Sequence, residues 1–443
     1  MNAFRRTENR RSWGRIPTAS QWMAPVHWRD EIAALIDEAS KSRGSLLAVG
    51  LGRSYGDSGT NDGGAILDMV PCDRLLAFDP QAKVIRAEAG ISLDALLRFL
   101  LPRGFIVPVM PGTRFVTLGG MIANDVHGKN HHRNGTFGKW VRAMELRRSD
   151  GATLLLTPDQ NPDLFAATIG GLGLTGTIAW AEIAVLPLGS NRLEVERLPF
   201  HSLADFFRIA EESSDSWEFT VAWVDCLARE TSLGRGLFSR ARLGLASDGP
   251  VRFPHGPTVP ADLPAGLLNK HGLRLFNDLY FTAGRLGRQA YRQELIPFFF
   301  PLDAIGQWNR CYGRAGFYQY QCVVPTESAE GAVHELLDTI SKSGQGSFLA
   351  VLKTFGDVTS PGMLSFPKAG TTLALDFPNR DRDTMALFER LDAIVKAARG
   401  RLYPAKDGRM SASMFKSGYP EADRFASFVD PRFSSTFWRR VSA

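Results

Sequence analysis

Apolar positions recur along this chain in two rhythms, one helical and one extended. Residues 29–43 (RDEIAALIDEASKSR) repeat them every three or four places, which predicts an amphipathic helix. SLLAVG at 45–50 and AILDM at 65–69 are short apolar runs and predict buried strands, with the glycine-rich loop GLGRSYGDSGTNDGG between them. Residues 76–89 predict a hairpin turning at Asp79-Pro80. Ser92 is placed to cap a helix running to about Leu101, with Asp94 well sited in its first turn. The stretch 111–138 is dense in Gly, His, Asn and Thr and has no long period. WVRAMELRRSDGATLLLT predicts a hairpin about Asp150-Gly151, PDLFAAT a short helix, and TIAWAEIAVLPL an alternating strand.

Beyond residue 190 the pattern lengthens. LEVERLPF, FTVAWVDCLA, FYQYQCVVP, SFLAVLKTFG and TTLALDFP predict strands, and SLADFFRIAEESS, AEGAVHELLDTISKS and DTMALFERLDAIVKAAR predict helices. Together they predict a sheet covered on one face by helices, with a domain boundary near Leu188. Residues 245–275 are rich in Pro and Gly and predict a long mobile loop or lid. Its Leu263, Leu267 and Leu268 could meet an apolar tail.

Length and composition narrow the class. A chain of 443 residues exceeds one ordinary core, so two domains are expected, and 44% hydrophobic with 22% charged residues describes a packed protein. The net charge of +6 suits an anionic small molecule, a phosphorylated lipid or an acidic membrane surface. Lys and Arg are spread rather than striped, which argues against nucleic acid. Cys72, Cys226, Cys311 and Cys322 form no CxxC pair and predict reduced thiols. The N-terminus MNAFRRTENRRSWGR lacks a following apolar run, and no stretch approaches the ~18 apolar residues of a membrane span. A cytoplasmic protein is expected, in peripheral contact with the inner membrane face if it meets a membrane.

Several motifs carry chemistry. GLGLTG at 171–176 matches GxGxxG, but it follows a helix and precedes a strand, the reverse of the order that places a pyrophosphate on a helix N-terminus. That excludes a Rossmann site, and no P-loop is present. The loop Gly50–Asp57 lies between two strands, where glycines allow close backbone approach and successive N–H groups can form an anion nest. Loops at 111–120 and 170–176 could complete such a cradle. His127, His131 and His132 admit a metal, a structural polar cluster, or a cofactor and substrate role. Gly128-Lys129-Asn130 does not suit a steady helix, and the charge of Lys129 counts against a metal. Gln319 and Gln321 share one face of a strand, able to bond sugar hydroxyls or to face solvent at an edge.

VGLGRSYGDSG, PGTRFVTLGGMIANDVHGKNHHRNGTFG and IGGLGLTGTI are similar to the FAD-binding domain of the vanillyl-alcohol oxidase superfamily. Within it, HGKNHH, FYQYQCVVP, VLKTFG, LALDFP and RLYPAKDGR resemble the decaprenylphosphoryl-β-D-ribose 2-oxidase family, and the likeness runs from about Trp13 to the C-terminus. The resemblance implies an α+β fold. A two-part FAD-binding domain (1–188, completed by 400–443) would hold an inserted substrate domain (189–399) of sheet covered by helices. Arg53, Ser54, Tyr55 and Gly56 would hold the FAD pyrophosphate, and Gly112, Thr113, Thr117, Gly119, Gly120, Asn124, Gly173, Ile178 and Tyr403 would line the rest of the cofactor site. Many relatives tether the flavin through a histidine in the first loop. Arg53 stands there, so non-covalent FAD is expected.

The resemblance further implies that His127 faces the isoalloxazine and the substrate. Lys406, a solvated lysine by default, would sit beside the flavin N1–C2=O edge, where a fixed cation offsets the charge left by hydride transfer. Trp223, Gln319, Gln321, Lys353, Phe355, Ala374 and Asp376 would form the substrate pocket, with Lys353 a phosphate partner. Ala374 stands where mycobacterial members carry cysteine, and an apparent one-residue insertion between Lys353 and Asp376 leaves the local pocket shape open. The implied reaction oxidises the 2-hydroxyl of a polyprenylphosphoryl-β-D-ribose to the 2-keto sugar, with His127 or Lys406 as base. A separate NADH-dependent short-chain reductase would complete epimerisation to the arabinose donor for arabinan in cell-wall glycans. An FAD-dependent sugar or aldonolactone oxidase of the same superfamily is the alternative, and a non-catalytic flavin-binding scaffold a more distant one.

Overall fold

The computed structural model describes residues 3–245, 249–254, 256–264 and 269–442. Its helices and strands make an α+β fold built on three large sheets. The first sheet has four strands in the order Arg5–Arg11, Thr18–Pro25, Ala65–Asp68 and Leu46–Val49. The last two are parallel neighbours, and their unbroken apolar sequence has a direct cause. Leu46, Ala65 and Leu67 pack under the helix Glu31–Ser42, while Leu47, Val49 and Ile66 face the main core, so both faces are covered.

The second sheet is antiparallel, in the order Leu75–Asp79, Val84–Glu88, Thr177–Ala184, Val141–Arg147, Thr153–Leu156. The helix Leu93–Leu100 buries Leu93, Leu96, Leu97 and Leu100 in the core this sheet shares, and the Ser92 hydroxyl accepts from the Ala95 N–H as expected of a cap.

The third sheet has eight antiparallel strands: Ala290–Glu294, Arg192–Phe200, Gly236–Leu243, Phe219–Val224, Ala350–Phe355, Gly370–Pro378, Phe317–Pro325, Arg401–Leu402. Its period of two sorts the side chains cleanly. Ala222, Val224, Tyr320, Cys322, Leu373 and Leu375 point into a core with the helices Leu203–Ser213, Ala329–Ser343 and Arg382–Ala397. The opposite face is covered in part, where Leu193, Val195, Phe219 and Ala241 join the core of the second sheet, and its uncovered remainder forms the cavity wall described below. Gly236–Leu243 and Ala290–Glu294 have no strand signal in the apolar pattern. Arg240 and Arg242 instead pair across strands with Glu196 (2.6 Å) and Glu194 (2.9 Å), so ion pairs stand where apolar alternation would have marked a strand.

Part of the expected loop at 245–275 is helical. The helix Lys270–Leu286 begins within it because the Asn269 side chain accepts from the N–H groups of His271 and Gly272. Val259 N–H donates to Gly306 O (2.8 Å) and Leu263 N–H to Arg310 O (3.1 Å), which hold the 256–264 segment to its neighbours. Leu267 and Leu268 lie outside the described residues, as do 246–248 and 255. After Arg401–Leu402 closes the third sheet against Cys322 and Val323, the chain returns to the first, where Phe433 bridges Leu46 and Arg440 binds Asp57 and Asp407.

Candidate active site

One cavity of about 750 Å³ lies between the glycine loops and the uncovered part of the eight-stranded sheet. Its volume is that of a small-molecule or cofactor site. Every residue the sequence reading assigned to the cofactor lines it: Arg53, Ser54, Tyr55 and Gly56 from the first loop, Gly112, Thr113, Thr117, Gly119, Gly120 and Asn124 from the second, with Gly173, Ile178, Tyr403 and Lys406.

The cradle is held by backbone. Gly52 has φ +63°, and a Cβ at Gly56 would fall 1.6 Å from Asp407 O, so a side chain there would drive the C-terminal segment away. Tyr55 N–H donates to Ala405 O (2.9 Å), a second tie between the same two segments. The Thr117 hydroxyl accepts from Gly120 N–H (3.2 Å) and starts the short helix Leu118–Ala123, which the sequence pattern did not show. Tyr403 Oη donates to Asn124 O (3.0 Å) and its ring stacks on Phe366.

FAD fits this cradle on an observation of the loop itself. Arg53 lies with its guanidinium 3.9 Å from the Trp13 ring centre, and its Nε is buried without a hydrogen-bond partner. A buried Nε–H with no acceptor in the protein, on a half-buried guanidinium beside the open loop, is a donor that an anionic pyrophosphate would satisfy.

The wall opposite is made of side chains that alternate strands bring to one face: Trp223, Gln319, Gln321, Lys353 and Ala374 all line the cavity. Gln319 and Gln321 face the cavity; their strand pairs along its whole length with Gly370–Pro378, and at Cys322 and Val323 also with Arg401–Leu402. Phe355 and Asp376, expected in the pocket, stand behind its lining. Phe355 packs against the rings of His127 (4.8 Å) and His131 (4.5 Å), and buried Asp376 accepts from Gln319 Nε2 at 2.6 Å. Both residues support lining side chains, Phe355 through the His127 ring and Asp376 through the Gln319 amide.

His127 is the junction of the two sides. Its Nδ1 lies 3.3 Å from Lys353 Nζ, and its Nε2 lies 3.1 Å from the Gln321 side-chain amide. The atom at His127 Nε2 is the Gln321 amide nitrogen, which also donates to Thr372 Oγ1 (3.3 Å), so both ring nitrogens face nitrogen donors and the tautomer decides which of the two bonds the neutral ring accepts. Burial, then the charges of Lys353, His131 and Lys406, push His127 well below the ordinary histidine value and keep it neutral. The other two histidines go elsewhere: His131 lies against Phe355, and His132 Nε2 meets Trp217 O at 2.9 Å.

Three buried lysines surround this point. Burial alone lowers Lys353 to about 8. Lys406 lies 3.7 Å from the Tyr55 ring centre. Burial pushes Lys406 down and Asp376 up, while attraction between the two opposes both changes. Sequence reasoning missed the third, Lys129, treating it only as a charge unfavourable to metal. Its Nζ donates to Phe298 O and Phe299 O, and burial brings it down to about 7. The available signal was its place two residues after His127. Asp303 was also missed, and nothing near it in sequence marks it. It accepts from Thr113 Oγ1 (2.6 Å) and Arg114 N–H (2.9 Å), joining the second loop to a turn 189 to 190 residues further along the chain.

This arrangement can hold a planar redox cofactor on backbone and present a polar, cation-rich face to an oxidisable group. Comparison with known proteins agrees. Residues 24–157 match the family model for an FAD binding domain. The chain is 37% identical to the decaprenylphosphoryl-beta-D-ribose oxidase of Mycolicibacterium smegmatis, over 98% of this chain and 97% of that one. An uncharacterized protein of Streptomyces coelicolor is 33% identical over 79% of this chain and its own full length. The D-arabinono-1,4-lactone oxidase of Eremothecium gossypii is 27% identical over 47% of this chain and 39% of its own. FAD is therefore the cofactor of this cradle, and the lactone-oxidase likeness covers less than half of the chain.

Proposed function

Since the chain belongs to the decaprenylphosphoryl-β-D-ribose oxidase family, we propose that it oxidises the 2-hydroxyl of a polyprenylphosphoryl-β-D-ribose to the 2-keto sugar. The observation that carries this reading is the meeting of His127, Gln321, Lys353 and Lys406 around one cavity whose other side is the FAD cradle. FAD, when bound, supplies the two-electron acceptor for the alcohol carbon. Arg53 occupies the place of a tethering histidine, so the cofactor is held without a covalent bond.

The chain's own groups divide the remaining work. Gln319 and Gln321 offer amides to sugar hydroxyls, and Lys353 supplies a cation to the phosphate. His127, kept neutral, has a ring nitrogen able to accept the hydroxyl proton once substrate displaces one of its partners. Lys406, the second candidate for the base, keeps positive charge in the cavity as the cofactor gains electrons. Trp223 gives an apolar wall, fixed by its Nε1–H donating to Phe348 O at 3.0 Å. A separate NADH-dependent reductase would then reduce the ketone from the opposite face and complete epimerisation.

A polyprenyl chain requires access from a lipid phase, so peripheral contact with a membrane face belongs to this proposal. Among the described residues, no helix is long and apolar enough to cross a membrane. Anaerobic mixing of the flavoprotein with a panel of sugars tests the reading. Polyprenylphosphoryl ribose should bleach the flavin, and aldonolactones should not. Bleaching by lactones alone would replace this substrate class with theirs.

A further inference from the structure

We propose that the outward face of the helix Lys270–Leu286 is a docking surface for an anionic lipid bilayer, set at the mouth of the cavity. Leu275, Leu279 and Leu286 are 61%, 61% and 74% exposed, and Phe276 and Tyr280 are exposed beside them. At 3.6 residues per turn the three leucines form one stripe, with the two aromatics along its flank. The helix is not short of a core, because Leu273, Asn277, Phe281 and Gly284 already fix its inner face to the eight-stranded sheet. A second apolar stripe therefore remains, pointing away from the protein.

Two further features identify what covers it. The exposed Arg285 and Arg288 stand at the C-terminal end of the helix beside the stripe, and the helix carries a single acid, Asp278, which is itself paired with Arg235. An apolar stripe edged with cations is the form of a helix lying in the plane of a membrane interface, its arginines among anionic headgroups. The stripe is also continuous with the cavity. Phe276 stacks on Tyr280 (5.8 Å, 13°), and Tyr280 meets Trp223 edge-on at 4.8 Å. Tyr280 and Trp223 line the cavity, as does the half-exposed Ile305. An aromatic path thus leads from the cavity wall to the outer stripe. It would let a lipid-borne sugar enter while its chain stays in the bilayer, a consequence that rests on the proposed substrate.

Co-sedimentation of the FAD-loaded protein with vesicles, in the absence of any sugar, tests the surface separately from the reaction. Phosphatidylglycerol-containing vesicles should retain the protein better than pure phosphatidylcholine, and salt should weaken the retention. Leu275→Ser/Leu279→Ser should lower vesicle affinity by about tenfold or more while FAD content and melting temperature stay unchanged. Arg285→Ser/Arg288→Ser should abolish the preference for anionic lipid. Reduction by a soluble short-chain substrate should be the same in the leucine variant, with turnover of vesicle-embedded substrate reduced. Equal vesicle binding by wild type and the leucine variant would overturn the proposal. So would a wild-type dimer that the leucine changes dissociate, without vesicle binding by either, which would assign the stripe to a second copy of the chain. Failure of every sugar to reduce the flavin would leave the vesicle result standing and sink only the oxidase reading.

Discussion

Around the cavity, the loops at 50–56 and 111–120 present mostly backbone, whereas the sheet opposite presents Trp223, Gln319, Gln321, Lys353 and Ala374. The first side depends on glycines that let backbone segments approach closely, with Arg53 as its cation. At Gly56 even a methyl group would collide with Asp407 O, an atom that cannot swing aside. The second side works by the identity of side chains whose strands are fixed elsewhere, in a core of helices on the far face. A change in the cradle should therefore damage binding and fold together, and a change in the wall should alter chemistry while the fold stands.

The largest expected effect tests the seam between the two sides. Lys406→Ala should keep FAD yet slow its reduction by substrate by about two to three orders of magnitude, as when one preorganised electrostatic group is lost. Single-turnover absorbance measures this, and a near-normal rate in FAD-saturated Lys406→Ala would remove it from the catalytic groups. Next is Gly56→Ala, for which the backbone collision should cost about 1–3 kcal/mol. It should appear as a lower melting temperature together with weaker FAD retention on gel filtration. A stable variant holding FAD normally would break the division between backbone cradle and side-chain wall.

Smaller effects belong to the wall. Lys353 has a folded value of about 8, below the ordinary 10.5. Affinity for a phosphate-bearing substrate should therefore fall by up to about tenfold per unit as pH rises above 8 and the ammonium is lost. Lys353→Met should bind weakly and flatten that pH profile, and an unchanged slope would free the phosphate from Lys353. The same lysine affects stability with a definite sign. As pH falls from 10.5 towards 8 the unfolded chain takes up the proton first, so stability declines across that window and the cost persists below it. Chemical denaturation of wild type and Lys353→Met at pH 7.5 and 10.5 should show the variant's relative advantage only at the lower pH. Smallest is Ala374→Cys, which should leave activity within a few-fold while placing a thiol on the cavity wall. Intact-mass measurement after a small thiol reagent should show one added label. Cys72, Cys226 and Cys322 are buried in the core, so labelling equal to wild type would show that position 374 is not on the wall.

Much of the cradle was legible because its signals are local. Glycines spaced through a loop between two strands need only neighbouring residues to be recognised, and the family resemblance attached FAD to them, whereas the Thr117 cap and its short helix went unrecognised in a stretch with no long period. The strands of the third sheet were legible wherever apolar alternation marked them. Gly236–Leu243 was not, because its outward positions are ion-paired arginines. Phe355 and Asp376 show the limit at the level of single residues. Alternation puts each on the cavity side of its strand, but whether such a residue reaches the cavity depends on which ring or amide lies in front of it.

By itself, the sequence determined the types of those elements that carry a clear apolar period, the period-2 face of Gln319 and Gln321, and the glycine loops, because these follow from backbone sterics and spacing within a few residues. Only the tertiary structure decided that His127 sits between Lys353 and Gln321, that Asp303 binds Thr113 and Arg114, and that Lys129 is held against Phe298 and Phe299. Those partners lie 169 to 226 residues apart. The low-dielectric surroundings that shift their protonation exist only once the sheet has closed over the cradle.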